Sequence, residues 1–157
     1  MTQLVNVIGV GMTEFKTPIQ SDNYVEMGHR AIREALADAT LPYHSIEQAY
    51  ARYVYGDSCC GQRSVYEAGL TGIPIFNVNS NCSSGSSGLF LARQALLSGQ
   101  AECVLAVGFD QMTPGALREH WTDRPTPLEK FIDVANDVLG DEEGPMAPKL
   151  FAAAGRE

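Results

Sequence analysis

The sequence predicts an α/β layered domain with a mainly parallel sheet, on three observations. Strand-like and helix-like segments alternate from Leu4 to Phe109. The run Glu102 to Phe109 is almost continuously apolar, as in a strand covered on both faces. Between Ile73 and Ser98 an apolar strand passes through a sharp turn directly into a helix. A chain of 157 residues has the size of one such domain.

Each element has its own signal. Leu4 to Val10, rich in Val and Ile and closed by Gly9-Val10-Gly11, reads as a first strand. The Gly9-x-Gly11 pair is not a dinucleotide fingerprint, because Glu14 stands at the third glycine position and no clean second strand follows. From Tyr24 to Ala39, Val25, Gly28, Ile32, Ala35, Leu36 and Ala39 follow helical spacing. Asn23 and Glu26 form a capping pair, and Leu41-Pro42 stops that run. Gln48 to Tyr55 is a second strand, Gly61 to Leu70 a short helix, and Ile73 to Asn79 a third strand that tolerates Pro74 at its start. Ser83 to Ser98 is a helix with Gly85, Gly88, Leu89, Ala92, Ala95 and Leu96 on one face and Gly99 as its stop. After Phe109 the character changes. Residues 111 to 143 mix prolines and charges with one weak helix near Leu128 to Leu139, and Pro145 opens a last helix. The expected division is therefore a core domain over 1–111 and a separate region over 112–157, in which the helical pattern breaks off at Gly155-Arg156-Glu157.

Composition removes several function classes. The net charge is -8 and the eleven Lys and Arg residues are scattered, which argues against nucleic acid as a partner. It does not exclude an anionic ligand such as coenzyme A, because helix amino ends bind phosphates. No apolar stretch reaches the ~20 residues of a membrane span, and Met1-Thr2-Gln3 opens into Leu4 without a basic leader. Cys59, Cys60, Cys82 and Cys103 form no CxxC pair, so no metal site is expected and the thiols read as reduced, in a cytoplasmic compartment.

Cys82 is the candidate catalytic residue. It stands where a buried strand turns into a helix, facing unpaired amides and the positive end of the helix dipole, which favours a thiolate nucleophile. The small residues Ser83, Ser84, Gly85, Ser86, Ser87 and Gly88 leave room for a substrate or another backbone. Position alone leaves the alternative open that Cys82 is a small buried hydrophobe. Cys103, inside an apolar strand, reads as structural, and Cys59 and Cys60 as oxidation-prone loop thiols. His29, His44 and His120 read as surface or packing histidines, and Asp57, Arg63, Asp110, Arg118 and Lys130 as solvated or paired charges.

Several segments, taken in order, sharpen this. Gly9-Val10-Gly11-Met12-Thr13-Glu14-Phe15, Tyr53-Val54-Tyr55-Gly56-Asp57-Ser58, Gly61-Gln62-Arg63 and Thr71-Gly72-Ile73-Pro74-Ile75 come first. Asn77-Val78-Asn79-Ser80-Asn81-Cys82-Ser83-Ser84-Gly85-Ser86 and Ala101-Glu102-Cys103-Val104-Leu105-Ala106-Val107-Gly108-Phe109 follow. Together they resemble the thiolase domain of the sterol carrier protein x type and the related bacterial lipid-transfer thiolases, over essentially the whole chain.

The resemblance implies one half of a thiolase-like αβαβα fold with a mainly parallel, mixed central sheet. It implies an acyltransferase in which Cys82 attacks the keto carbon of a 3-ketoacyl-CoA and carries the shortened acyl group, with coenzyme A as co-substrate and no permanently bound cofactor. It implies acyl-CoA and CoA as ligands, and a homodimer formed through the strand near Ile75 to Asn79. The compartment is then cytoplasmic, or peroxisomal in a eukaryote. Met112 matches the methionine closing a Gly-Phe-Asp-Gln-Met type segment, which implies packing near the cysteine. The region from 112 onward matches the start of a CoA-facing loop domain. The family's catalytic histidines and second cysteine belong to a carboxyl-terminal half that this sequence does not contain, so the chain alone is expected to be nearly inactive. Two alternatives stay open: a non-catalytic acyl-CoA-binding or lipid-binding partner, and a condensing enzyme or aldolase of the same superfamily.

Overall fold

The computed structural model describes residues 4–114, 121–140 and 144–155. The elements run α1 (Tyr24–Ala39), a 3-10 turn (Tyr43–Ser45), β1 (Gln48–Arg52), α2 (Cys60–Val65), β2 (Ile75–Val78), α3 (Ser84–Leu97), β3 (Val104–Gly108), α4 (Glu129–Leu139) and α5 (Met146–Ala154). Two compact units result, Met1–Ala116 and Leu117–Glu157.

In the first unit β1 is the central strand of a three-stranded sheet ordered β2-β1-β3, and both pairings are parallel. Parallel neighbours need crossovers, and the helices provide them on both faces. Alternation along β1 and β3 sends Ala49, Ala51, Leu105 and Val107 to one face, where they pack with Ile32 of α1 and Val65 of α2. It sends Tyr50, Val104 and Ala106 to the other, against Ala92 and Ala95 of α3. The result is a layered α/β/α unit, as the alternating sequence pattern predicts.

α1 has the predicted bounds. Its cap is one-sided: Asn23 Oδ1 accepts from both Val25 N–H and Glu26 N–H, and Thr40 in the left-handed region (φ 55°) closes the other end. β1 stops at Arg52, short of Tyr55, because the Asp110 carboxylate accepts from Val54 N–H (2.9 Å) and Tyr55 N–H (3.0 Å) and draws the chain off the ladder. α2 is shorter than predicted because its last turn tightens, with Ala68 N–H donating to Val65 O at 2.9 Å. On α3, Gly88, Ala92 and Ala95 are buried as expected, but Leu89 is 54% exposed. One helix covering three strands has a narrow buried stripe, and Leu89 falls outside it.

Leu4 to Val10, expected as a first strand, is not one. The segment pairs with none of the three strands and lies against α1 instead. Val10 N–H donates to Asp38 Oδ2 (2.9 Å) and Met12 N–H to Glu34 Oε2 (3.1 Å). Gly9 and Gly11 are obligatory there, since a Cβ on either would lie 2.3 Å from a backbone carbonyl of α1. The apolar side chains of Leu4, Val7, Ile8 and Val10 are left facing outward.

In the second unit α4 and α5 pack through Ala135, Leu139 and Ala153, with Leu150 beside them. Lys149 Nζ donates to Asn136 Oδ1 at 3.0 Å. Among the described residues no helix is long and apolar enough to cross a membrane.

Candidate functional site

The carboxyl ends of parallel strands are where open α/β sheets place their ligands. Three segments leave the sheet there: Tyr53 to Ser58 after β1, Asn79 to Ser83 after β2, and Phe109 to Thr113 after β3. Cys82 lies on the middle one of these in sequence, exposed, between the end of β2 and the start of α3.

Hydrogen bonds internal to the segment hold this turn. Asn79 Oδ1 accepts from Asn81 N–H at 3.0 Å, and Asn81 takes the left-handed conformation (φ 52°) that asparagine tolerates better than most residues. The buried hydroxyl of Ser84 accepts from Ser80 N–H (2.8 Å) and donates to Asn81 O (2.7 Å). Ser83, the residue before α3, spends its hydroxyl on Ser80 O (2.7 Å) and makes no side-chain cap. The opening amides of α3 therefore have no side-chain acceptor, and such amides favour a developing negative charge.

Two residues that sequence reading passed over belong to this neighbourhood. Arg52, the last residue of β1, donates from Nη1 to Gly85 O at 2.6 Å, and burial lowers its guanidinium from the usual arginine range. A charge at an alternate position of the otherwise uncharged Ala49-Tyr50-Ala51-Arg52 run was the signal that could have flagged it. Tyr55 is the other. Burial first, then the electrostatic influence of Asp110 and Cys82, raises its phenol above the usual tyrosine range. Its phenol is within electrostatic reach of the cysteine.

Two hollows lie at this end of the sheet. One, of about 370 Å³, is lined by Val78, Ser80, Ser86, Ser87, Phe90 and Leu91 and runs beside the cysteine segment itself. The other, of about 290 Å³, is lined by Tyr24, Tyr55, Cys59, Cys60, Arg63 and Gln111 among others, and shares Tyr55 with the cysteine neighbourhood. The first is the more relevant to Cys82, because it includes residues on both sides of the turn.

The remaining candidates separate from Cys82. Asp110 is the clamp on β1 described above, and Arg63 pairs with Glu67 on the surface. Asp57 and Lys130 are exposed, and Met112 is half-buried. His44 is exposed in the 3-10 turn, while His29 on α1 has a buried Nδ1 without a partner. Arg118 and His120 lie outside the described residues. Cys103 is half-buried against the core, and burial raises its thiol. Cys59 is exposed, but Cys60 is not the surface thiol expected: it starts α2 and packs with Tyr53 and Phe109. The helix begins one residue before the glycine that was read as its start, which turns Cys60 inward.

Comparison with known proteins places the sequence and the fold. Residues 5–131 match the family model described as the thiolase N-terminal domain. Sterol carrier protein 2 of Oryctolagus cuniculus is 51% identical over 156 residues, which covers 98% of this chain and 28% of that protein. The non-specific lipid-transfer protein-like 2 of Caenorhabditis elegans is 44% identical over 158 residues, covering 98% of this chain and 38% of the relative. Among solved structures, the priming β-ketosynthase from the R1128 polyketide biosynthetic pathway matches with a TM-score of 0.54 and 25% identity, over 62% of this chain and 31% of that one. The chain thus spans well under half the length of each of these relatives. The chain belongs to the thiolase family, whose N-terminal domain it carries, in the group that includes sterol carrier protein 2.

Proposed function

We propose that this chain is the nucleophile-bearing part of a thiolase-type acyltransferase that cleaves 3-ketoacyl-CoA. The observation that carries the proposal is the exposed Cys82 at the carboxyl end of β2, followed by a helix whose first amides lack a side-chain cap. The Cys82 thiolate adds to the keto carbon, and the bond between that carbon and the α carbon breaks. The acyl group stays on sulfur as a thioester, and the departing acetyl-CoA or propionyl-CoA enolate takes up a proton. A fresh CoA thiol then attacks the thioester, accepts the acyl group and returns the thiolate. Residues 1–111 serve as the core domain and residues from 112 onward as the start of the CoA-facing region.

The resemblance assigns the proton donor and base to the family's carboxyl-terminal half, and one acylation tests the nucleophile without them. General acid-base groups contribute about 10²- to 10⁴-fold in such reactions. The outer edge of β2, with Phe76 and Asn77 exposed, is the edge proposed for homodimer pairing. Mass spectrometry of the intact chain after incubation with a 3-ketoacyl-CoA, with peptide mapping, tests the reading. One acyl addition on the Cys82 peptide is expected, absent in Cys82→Ala. An adduct that persists in that variant overturns the assignment, and binding without any adduct favours a non-catalytic acyl-CoA-binding role.

A further inference from the structure

The side chain of Arg52 takes an unusual path. It leaves the end of β1 on the face that carries Tyr50 and α3, and passes between β3 and that helix. Glycines make the passage. A Cβ on Gly88 would lie 2.4 Å from Arg52 Cδ and 2.5 Å from Cγ, one on Gly108 would lie 3.1 Å from Nε, and one on Gly85 would lie 3.4 Å from Nη1. At the end of this slot Nη1 meets Gly85 O, in the first turn of α3 and three residues after Cys82.

Stability does not explain the arrangement. Among the described residues no carboxylate pairs with Arg52, and its Nε is buried without a hydrogen-bond partner. A half-buried cation without a counter-charge carries a desolvation cost. A cation at the amino end of a helix also opposes the helix dipole. Both costs fall if the same place is designed to favour an anion, and a cysteine thiolate on the adjoining turn is one.

We propose that Arg52 is a positioning residue for the cysteine turn: it holds the first turn of α3 through Gly85 O and adds positive charge that favours the Cys82 thiolate. The proposal rests on the reading of Cys82 as the nucleophile. It predicts a separation between stability and reactivity. In Arg52→Met the charge and the bond to Gly85 O are lost but the slot stays filled, so the lost bond and the removed desolvation cost offset each other and the thermal midpoint moves little. Carbamidomethylation of Cys82 by iodoacetamide at fixed neutral pH, scored against Cys59 in the same sample, slows about two- to fivefold, the scale of one charge at a helix end. Arg52→Lys recovers most of the rate. Gly88→Ala, which fills the slot and displaces Arg52, slows the thiol as Arg52→Met does.

Parental reactivity in Arg52→Met overturns the proposal, and so does an Arg52→Lys variant as slow as Arg52→Met. Because alkylation needs no substrate, its result is independent of whether a 3-ketoacyl-CoA acylates Cys82. An unmoved alkylation rate beside a normal acyl adduct removes the role of Arg52 and leaves the proposed function standing. The opposite pair of results removes the function and leaves Arg52 as the residue that tunes an exposed thiol.

Discussion

At the start of α1, Asn23 Oδ1 accepts from both Val25 N–H and Glu26 N–H, whereas at the start of α3 Ser83 turns its hydroxyl to Ser80 O and caps nothing. The two helices cover opposite faces of one sheet. α1 is closed at both ends and amphipathic, and buries Ile32 completely. α3 begins in serines and glycines, and what holds its first turn comes from outside the helix: the Ser84 bonds to the preceding turn and the Arg52 bond from β1. One face is organised for stability. The other starts its helix without a side-chain cap beside Cys82 and recovers order from a network around that turn.

The sharpest way to break this contrast is Ser84→Ala. The substitution removes the acceptor of Ser80 N–H and one of the two donors to Asn81 O, which keeps its bond from Ser84 N–H. The two hydrogen bonds lost are worth about 0.5–1.5 kcal/mol each. A urea titration should show that loss, and the Cys82-to-Cys59 alkylation ratio should change with it, because the same bonds set the turn. Asn23→Ala should cost about 1 kcal/mol, the usual worth of a helix amino cap, and leave the alkylation ratio as it was. If Asn23→Ala moves Cys82 as much as Ser84→Ala does, the two helix starts are not independent and the contrast fails.

The same contrast explains how much could be read in advance. α1 was legible to the residue because cap, amphipathic spacing and the Leu41-Pro42 stop all agree locally. The strand, turn and helix around Cys82 were legible for a similar reason, with Gly99 and the small-residue stripe marking α3. Leu4 to Val10 was misread because strand propensity does not choose the partner, and here carboxylates of α1 take the Val10 and Met12 amides. Arg52 was missed because its meaning lies in Gly85, Gly88 and Gly108, residues far from it in sequence that only the fold brings together. Cys60 was misplaced because one residue of shift at a helix start turns a side chain from solvent to core.

The smallest effect should come from a residue that serves both faces alike. The Glu47 carboxylate accepts from Glu102 N–H and from Cys103 N–H (3.1 Å), tying the entry of β3 to that of β1 at the edge opposite Cys82. These two bonds, Glu102 first, hold its folded-state value below the ordinary one of about 4.5. The sign follows from linkage. A depressed carboxylate stabilises the fold fully above its unfolded value, and that contribution is lost as pH falls through the lower folded value. Thermal midpoints should therefore differ between the parent and Glu47→Gln near neutral pH and converge as pH drops below about 4.5. Full exposure of the group to solvent keeps the difference small. A gap that stays constant down to acid pH would mean that the loss comes from geometry and not from charge. Because the clamp is shared, protonating Glu47 should loosen both faces together, and the alkylation ratio of Cys82 to Cys59 in Glu47→Gln should match the parent.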